Sequence, residues 1–341
     1  MAGNYLVTGG AGFIGSNYVS RLLSRGEKVV IYDNLSRRGA QANIAWLEQA
    51  FGQSAFRLTV GDVTDRRLLA ETARAADVVV HLAGQVAVTT SVTDPRQDFE
   101  ANALGTFNAL EAARLSGRDP AFIYASTNKV YGEMEDVRVV EDATRWRYAD
   151  LEHGCPETQP LDFHSPYGCS KGTGDQYVRD YARIYGLRSV VFRQSCIYGP
   201  RQFGVEDQGW LAWMTIAAVT GRQITIYGDG KQSRDVLHVD DLLDAYDAAI
   251  AEVDTVKGQV FNIGGGTPNV MAVWTEFGPL LEKLLGRKIP VARGDWRPGD
   301  QKVFYADFRK AKSELGWQPR IGLNEGVERL VHWVVENKSL F

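Results

Sequence analysis

The amino-acid sequence predicts an α/β fold: a doubly wound parallel sheet joined to a smaller mixed α/β domain. Three observations predict it. Short runs rich in β-branched residues alternate with longer amphipathic segments through the first half of the 341-residue chain. A glycine-rich turn follows the first of those runs and opens the first amphipathic segment. The second half then changes character, with more tryptophan, more Gly-Pro punctuation and shorter elements.

In chain order, the strand candidates are Tyr5–Val7, Val29–Tyr32, Phe56–Val60, Val78–Leu82, Phe122–Ala125 and Ser189–Phe192. Between them Gly12–Arg25, Arg67–Ala75 and Phe99–Ser116 read as helices. Turn signals at Gly199–Gln202, Tyr227–Gly230 and Arg297–Asp300 break up the second half, and the chain is expected back at the sheet near Asp235–Ala249 and Gln259–Ile263. The expected division is a larger domain of residues 1–193 with a returning segment of about 235–263. The smaller domain is formed by 194–234 and 264–341.

Composition narrows the function classes. With 44% apolar and 23% charged residues the chain reads as ordinary soluble globular protein rather than disordered or fibrous. A net charge of −4 argues against nucleic acid or an anionic membrane as the main partner. No stretch nears about 18 uninterrupted apolar residues, so no membrane span is expected. Cys155, Cys169 and Cys196 lack metal-type spacing and read as reduced thiols. With no signal-peptide pattern at the N-terminus, a cytoplasmic protein is expected.

The first turn carries the cofactor signal. Tyr5-Leu-Val-Thr-Gly9-Gly-Ala-Gly12-Phe-Ile-Gly15 spaces three glycines by three residues between a strand and a helix. Gly9 suits a tight turn, Gly12 lets backbone approach a pyrophosphate, and Gly15 lets helix and strand pack closely. The helix N-terminus then offers free N–H groups and a positive dipole end to the phosphates. Asp33 closes the next strand where a carboxylate can take ribose hydroxyls, and Gly61-Asp62-Val63 follows the third strand, where adenine is gripped. A carboxylate at Asp33 repels a 2′-phosphate, so NAD is favoured over NADP. Arg37 and Arg38 read as surface charge or as contacts with the adenosine edge.

Tyr167-Gly-Cys-Ser-Lys171 puts a phenol and an ammonium on one helical face. The ammonium is expected to lower the phenol's pKa toward neutrality. Tyr167 then serves as general base for an alcohol proton and Lys171 as clamp on the nicotinamide ribose. Ala125-Ser-Thr127-Asn-Lys-Val-Tyr-Gly132 sets hydroxyl groups at a strand tip, which in parallel sheets faces the ligand crevice.

These motifs, with His81-Leu-Ala-Gly84, Tyr198-Gly-Pro200, Gly228–Asp235, His238-Val-Asp-Asp241, Asn262-Ile-Gly-Gly265 and Arg297-Pro-Gly-Asp300, resemble the extended short-chain dehydrogenase/reductase family along nearly the whole chain. The resemblance implies a Rossmann-type NAD-binding larger domain, a nucleotide-sugar-binding smaller one, and Thr127, Tyr167 and Lys171 as catalytic residues. It further implies that NAD meets Gly9, Gly12, Phe13, Ile14, Gly15, Asp33, Asn34, Ser36, Arg37, Asp62, Val63, Leu82, Ala83, Gly84, Gln85, Asn102 and Gln194, besides Tyr167 and Lys171. Substrate is implied at Thr89, Asn128, Cys196, Arg201, Gln208, Arg234 and Arg297, the arginines Arg234 and Arg297 on the phosphate side. No metal is expected, since the histidines lack ligand spacing; His81, His164 and His238 read as structural. Family members pair through two long helices, here Phe99–Ser116 and Tyr167–Tyr185, so a homodimer or homotetramer is implied. The stripe Tyr177, Val178, Tyr181, Ala182 and Tyr185 on the second helix reads either as that interface or as intramolecular core.

Departures sort the reaction. Dehydrating members carry Asp-Glu after the catalytic threonine and 3,5-epimerising members a cysteine; here Asn128-Lys129 stand there. Redox epimerisation is left as the leading reading, with Lys129 in a structural or phosphate-side role. Strings such as Gln85–Ser91, Leu161–Lys171, Asp207–Trp213 and Gly230–His238 resemble the branch of the family that inverts C2 of a CDP-hexose. The reaction implied is of the CDP-paratose to CDP-tyvelose type, through transient oxidation to a 2-keto sugar, with NAD retained. Two other readings stay open: a UDP-hexose 4-epimerase or broad CDP-glucose 2-epimerase, and a non-catalytic NAD-binding regulator.

Overall fold

A computed structural model describes residues 3–296 and 300–341. The chain forms two compact units, one of residues 1–130, 165–193 and 243–261, the other of 131–164, 194–242 and 262–341. Residues 131–164, counted with the larger domain on sequence, thus belong to the second unit. The segment returning to the first is 243–261 instead of about 235–263.

The first unit is built on a seven-stranded parallel sheet. Its order is Val260–Ile263, Ser189–Gln194, Ala121–Thr127, Val78–His81, Asn4–Thr8, Lys28–Asp33, Phe56–Val60. The central strand Asn4–Thr8 pairs on one side with Lys28–Tyr32 and on the other with Val78–His81. Chain order therefore reverses direction beside it, and the crevice outside the strand ends at that switch point is where such sheets take ligands. All four residues of Val78–His81 are buried, as expected of a strand covered on both faces. Helix Phe13–Ser24 buries Gly15, Ser16, Tyr18, Val19 and Leu22, one stripe at helical spacing. It ends at Arg25, with Gly26 taking the left-handed φ of 77° that stops it. Leu6, Tyr32, Val79, Phe122, Tyr124, Val178, Tyr181 and Val191 share one core.

The expected single helix Phe99–Ser116 is broken into three. A short helix Pro95–Phe99, capped by Asp94, runs into a π turn at Glu100–Leu104, and an α-helix resumes over Gly105–Leu115. Apolar periodicity continues across a π turn with one extra residue, so the break is invisible to pattern reading. The long helix Ser165–Tyr185 matches expectation, with Ser165 Oγ accepting the Gly168 N–H at 3.3 Å and Pro166 in its first turn. Its aromatic stripe divides: Val178 and Tyr181 are core, whereas Tyr177 and Tyr185 are exposed.

In the second unit, Ser233–His238 is the organising strand. Cys196–Tyr198 pairs parallel to its Val236–His238 end, while Ser233–Asp235 pairs antiparallel with Val270–Ala272 and Ser233–Arg234 parallel with Val303–Phe304. Helices Trp210–Thr220, Phe277–Leu285 and Leu323–Glu336 pack a separate core that includes Leu211, Ile216, Ile226, Phe277, Leu281 and Leu330.

Candidate active site

The glycine turn is as tight as its spacing predicts. Gly9 has φ 69°, and a Cβ there would stand 2.7 Å from the Ala83 nitrogen. A Cβ on Gly15 would fall 2.6 Å from the Gly10 Cα, so only glycine lets the helix approach the strand. No side chain caps the first turn of Phe13–Ser24 and no acidic residue sits in it, leaving its N–H groups to an anion. Asp33 is buried and accepts from the Ala11 N–H at 2.9 Å and the Leu35 N–H at 2.8 Å. Burial raises its pKa, the two backbone donors pulling the other way. Asn34 donates to Asp62 (2.8 Å) and accepts from Ser36, while Asp62 also holds the Thr64 N–H (2.9 Å). The Val63 carbonyl takes the Asn108 amide at 2.9 Å, and the Ala83 N–H reaches Thr8 Oγ1 at 3.3 Å. Gln85 folds onto Ala87, donating to its carbonyl at 2.6 Å, so its side chain closes a turn of its own loop. Asn102 Oδ1 is buried with no hydrogen-bond partner among the described residues, and a Cβ on Gly84 would come within 2.5 Å of it. Gln194 ends the Ser189–Gln194 strand. A glycine cradle, an uncapped helix end, a carboxylate at the second strand tip and an unanswered amide oxygen fit a dinucleotide.

Thr127, Tyr167 and Lys171, the residues expected to be catalytic, converge in the first unit. Thr127 ends its strand, and its side chain hydrogen-bonds the Tyr167 hydroxyl. Lys171, one helical turn beyond Tyr167, donates from Nζ to the Ala125 carbonyl at 2.6 Å and lies 4.4 Å from the centre of the Tyr124 ring. Burial lowers its pKa to about 8, with Asp175 and Asp98 opposing. The electrostatics of Tyr167 correct the sequence expectation. Burial pushes the phenol up to about 12; the Thr127 hydrogen bond lowers it, Asp98 raises it, and the cation that lowers it is Arg37 rather than Lys171. Spacing places an ammonium near a phenol but says nothing of desolvation, and here desolvation wins. His81 is held between Thr8 (2.7 Å) and Thr106 (3.2 Å) and pushed down to about 3 by burial, a neutral structural ring as expected.

Of the implied substrate residues, Thr89 lies exposed on the short helix Val88–Thr93 and Asn128 starts a 3-10 turn whose Lys129 N–H is held by Thr127 Oγ1 at 3.2 Å. In the second unit Cys196 pairs with Val236. Arg201 has the left-handed φ of 68°, with its guanidinium 5.8 Å from the Trp333 ring centre. Gln208 closes a two-way backbone pair with Val205, at 2.9 and 3.0 Å. Arg234 donates to Asp300 (3.0 Å) and to the Gln301 carbonyl (2.6 Å), so its fork is already oriented by protein. Arg297 lies outside the described residues.

Sequence reasoning missed the frame behind the trio. Buried Ser91 accepts the Tyr167 N–H at 3.2 Å. Asp98 accepts from Ser170 at 2.5 Å, inside the Tyr-x-x-x-Lys motif itself. Asp175 takes a bidentate pair from Arg193 (2.9 and 2.9 Å) and the Ser126 hydroxyl (2.8 Å), all buried. The available signals were a hydroxyl beside each motif and the four-residue spacing of Asp98 and Asn102.

Comparison with known proteins agrees with this geometry. Residues 5–264 match the NAD dependent epimerase/dehydratase family. The chain is 44% identical over 337 residues to CDP-paratose 2-epimerase of Salmonella typhi, covering 96% of this chain and 98% of the relative. A dTDP-glucose 4,6-dehydratase double mutant of Streptomyces venezuelae, solved with NAD bound, superposes with TM-score 0.84 at 29% identity, covering 99% and 98% of the two chains. UDP-glucuronic acid 4-epimerase of Bacillus cereus, in complex with UDP-glucuronic acid and NAD, gives TM-score 0.82 at 29% identity over 99% and 100%.

Proposed function

Because the chain belongs to the NAD-dependent epimerase/dehydratase family, we propose that it inverts C2 of a CDP-hexose, in the manner of CDP-paratose 2-epimerase. It is an NAD-dependent nucleotide-sugar epimerase. The observation that carries redox inversion over dehydration is the turn after Thr127, where Asn128 and Lys129 replace the acid and base that elimination needs. The 44% identity to a 2-epimerase supports the choice of carbon and of nucleotide.

Gly9, Gly12, Gly15, the Phe13–Ile14 helix start, Asp33 and Asn102 would hold NAD, which when bound supplies a reversible hydride acceptor for oxidation at C2. The chain's own groups manage the proton. Tyr167 takes the C2 hydroxyl proton and returns it after the sugar turns. A phenol held near 12 is a strong base once ionised, and the positive charge of Arg37 favours that ionisation. Thr127 donates to the same oxygen region, and Lys171 would clamp the nicotinamide ribose. Arg234, pre-aligned by Asp300, binds the pyrophosphate.

We also propose a homodimer through the exposed apolar face of the two long helical segments, where Phe99 is 57% and Ile184 66% exposed beside Phe107, Tyr177 and Tyr185. No helix among the described residues is long and apolar enough to cross a membrane.

The test incubates protein with CDP-hexoses and, in parallel, UDP-hexoses in D₂O, with products read by NMR. Expected is a CDP-sugar inverted at C2 carrying no solvent deuterium there. Stoichiometric deuterium at C2 would replace oxidation by enolisation and make Lys129 a base. Inversion at C4 of the UDP-hexose would move the assignment to another carbon.

A further inference from the structure

Asp98 is an acid with no place in the reaction as derived, yet it is completely buried against the catalytic helix. One oxygen accepts the Ser170 hydroxyl at 2.5 Å; the other accepts Asn102 Nδ2 at 3.0 Å. Asn102 Nδ2 also lies 3.2 Å from Ser170 Oγ, which is itself 3.2 Å from the Tyr167 carbonyl. The three side chains thus tie the end of the Pro95–Phe99 helix, the π turn and the second turn of the Tyr-x-x-x-Lys helix into one knot.

A carboxylate only accepts, so the edge of Asn102 that faces it must be the NH₂. The amide oxygen is then forced the other way, and there it sits, buried and unanswered, against Gly84 of the cofactor loop. Asp98 also places a negative charge whose field reaches both Tyr167 and Lys171. The other groups in that field are Asp175 on the same helix as Lys171, Arg37 acting on Tyr167, His81, which Lys171 itself depresses, and the Tyr124 ring under the ammonium. Burial raises the Asp98 acid, while Ser170, Asn102 and Lys171 pull it back.

We propose that Asp98 is a positioning residue of the active site: its buried carboxylate fixes the Asn102 amide with Oδ1 presented to the cofactor and balances the Lys171 ammonium. The inference rests on the NAD-dependent reading of this site but on no particular sugar.

The experiment compares Asp98→Asn with Ser170→Ala in the full chain, without sugar substrate. Lys171 is followed through its 13Cε resonance in lysine-labelled protein, assigned with Lys171→Arg, and NAD affinity is measured by calorimetry. Asp98→Asn keeps the size of the side chain but removes the charge and can let the Asn102 amide turn over. The Lys171 titration, near 8 in the parent protein, should move down by about one unit, and NAD should bind about three- to tenfold more weakly. Ser170→Ala removes a hydrogen bond to the same carboxylate but keeps its charge, and should lower the melting temperature without moving the titration. Asp98→Ser gives a second uncharged side chain should Asp98→Asn not fold. An unmoved Lys171 titration on loss of the charge, or an equal shift in Ser170→Ala, would overturn the proposal. Because neither readout uses a sugar, a wrong substrate assignment leaves both intact.

Discussion

Replacing Lys171 with methionine should stabilise the protein at neutral pH while abolishing turnover. Lys171 is 7% exposed, and burial pulls its ammonium from the ordinary 10.5 to about 8. At about 1.4 kcal/mol per unit, that depression is roughly 3 kcal/mol of unfavourable charge burial wherever the folded protein keeps the proton. Methionine removes it but gives up the hydrogen bond to Ala125 and the contact with the Tyr124 ring, each worth about 1 kcal/mol. The expected net gain is about 1–2 kcal/mol at pH 7. Its pH dependence has a definite sign. The folded pKa lies below the unfolded one, so between about 8 and 10.5 the unfolded chain binds more protons and the wild type gains stability as pH rises. Methionine titrates nothing, so its advantage is full below about 8 and gone by 10.5. Urea melts at pH 7 and pH 10, with NAD removed from both proteins, measure the two differences. A variant less stable than wild type at pH 7, or an advantage that does not shrink by pH 10, would refute the reasoning.

Tyr167→Phe should keep the fold and NAD content and lower kcat by about 10²–10⁴-fold, as loss of a general base does; activity within threefold of wild type, measured by NMR of the sugar product, would remove Tyr167 from the mechanism. Ile184→Glu, a charge on the exposed helical face, should convert a dimer to a monomer in sedimentation velocity with little change in melting temperature. A wild type that sediments as a monomer would dispose of the proposed pairing.

Much of the fold was legible because its signals are local. Gly9, Gly12 and Gly15 lie within one turn of chain, and the strands around them are runs of Val and Ile whose burial follows from the parallel order. Thr127, Tyr167 and Lys171 could be named for the same reason. What could not be read were consequences of distant contact. Ser91 reaches Tyr167 across 76 residues and Asp98 reaches Ser170 across 72. The expected depression of the Tyr167 phenol failed because the degree of burial belongs to the whole unit and not to the four-residue spacing. The stripe from Tyr177 to Tyr185 was ambiguous between core and surface because consecutive helical faces divide it. Residues 131–164 were assigned to the wrong unit because nothing in their composition marks where the chain changes neighbours.

The π turn at Glu100–Leu104 constrains how this chain can change over evolutionary time. It holds one residue more than an α-helix of the same rise, and each helical residue turns the chain by about 100°. Losing that residue would return the turn to α-helical hydrogen bonding and leave the helix beyond it, from Thr106 and Asn108 to Ala113, in register with the partners those buried side chains now fit. The same loss inside Gly105–Leu115 meets no such slack and would rotate everything after it by about 100°. A one-residue change of chain length is therefore absorbed at Glu100–Leu104 and opposed in the helix that follows, so a length difference among descendants of this sequence is to be placed in the π turn.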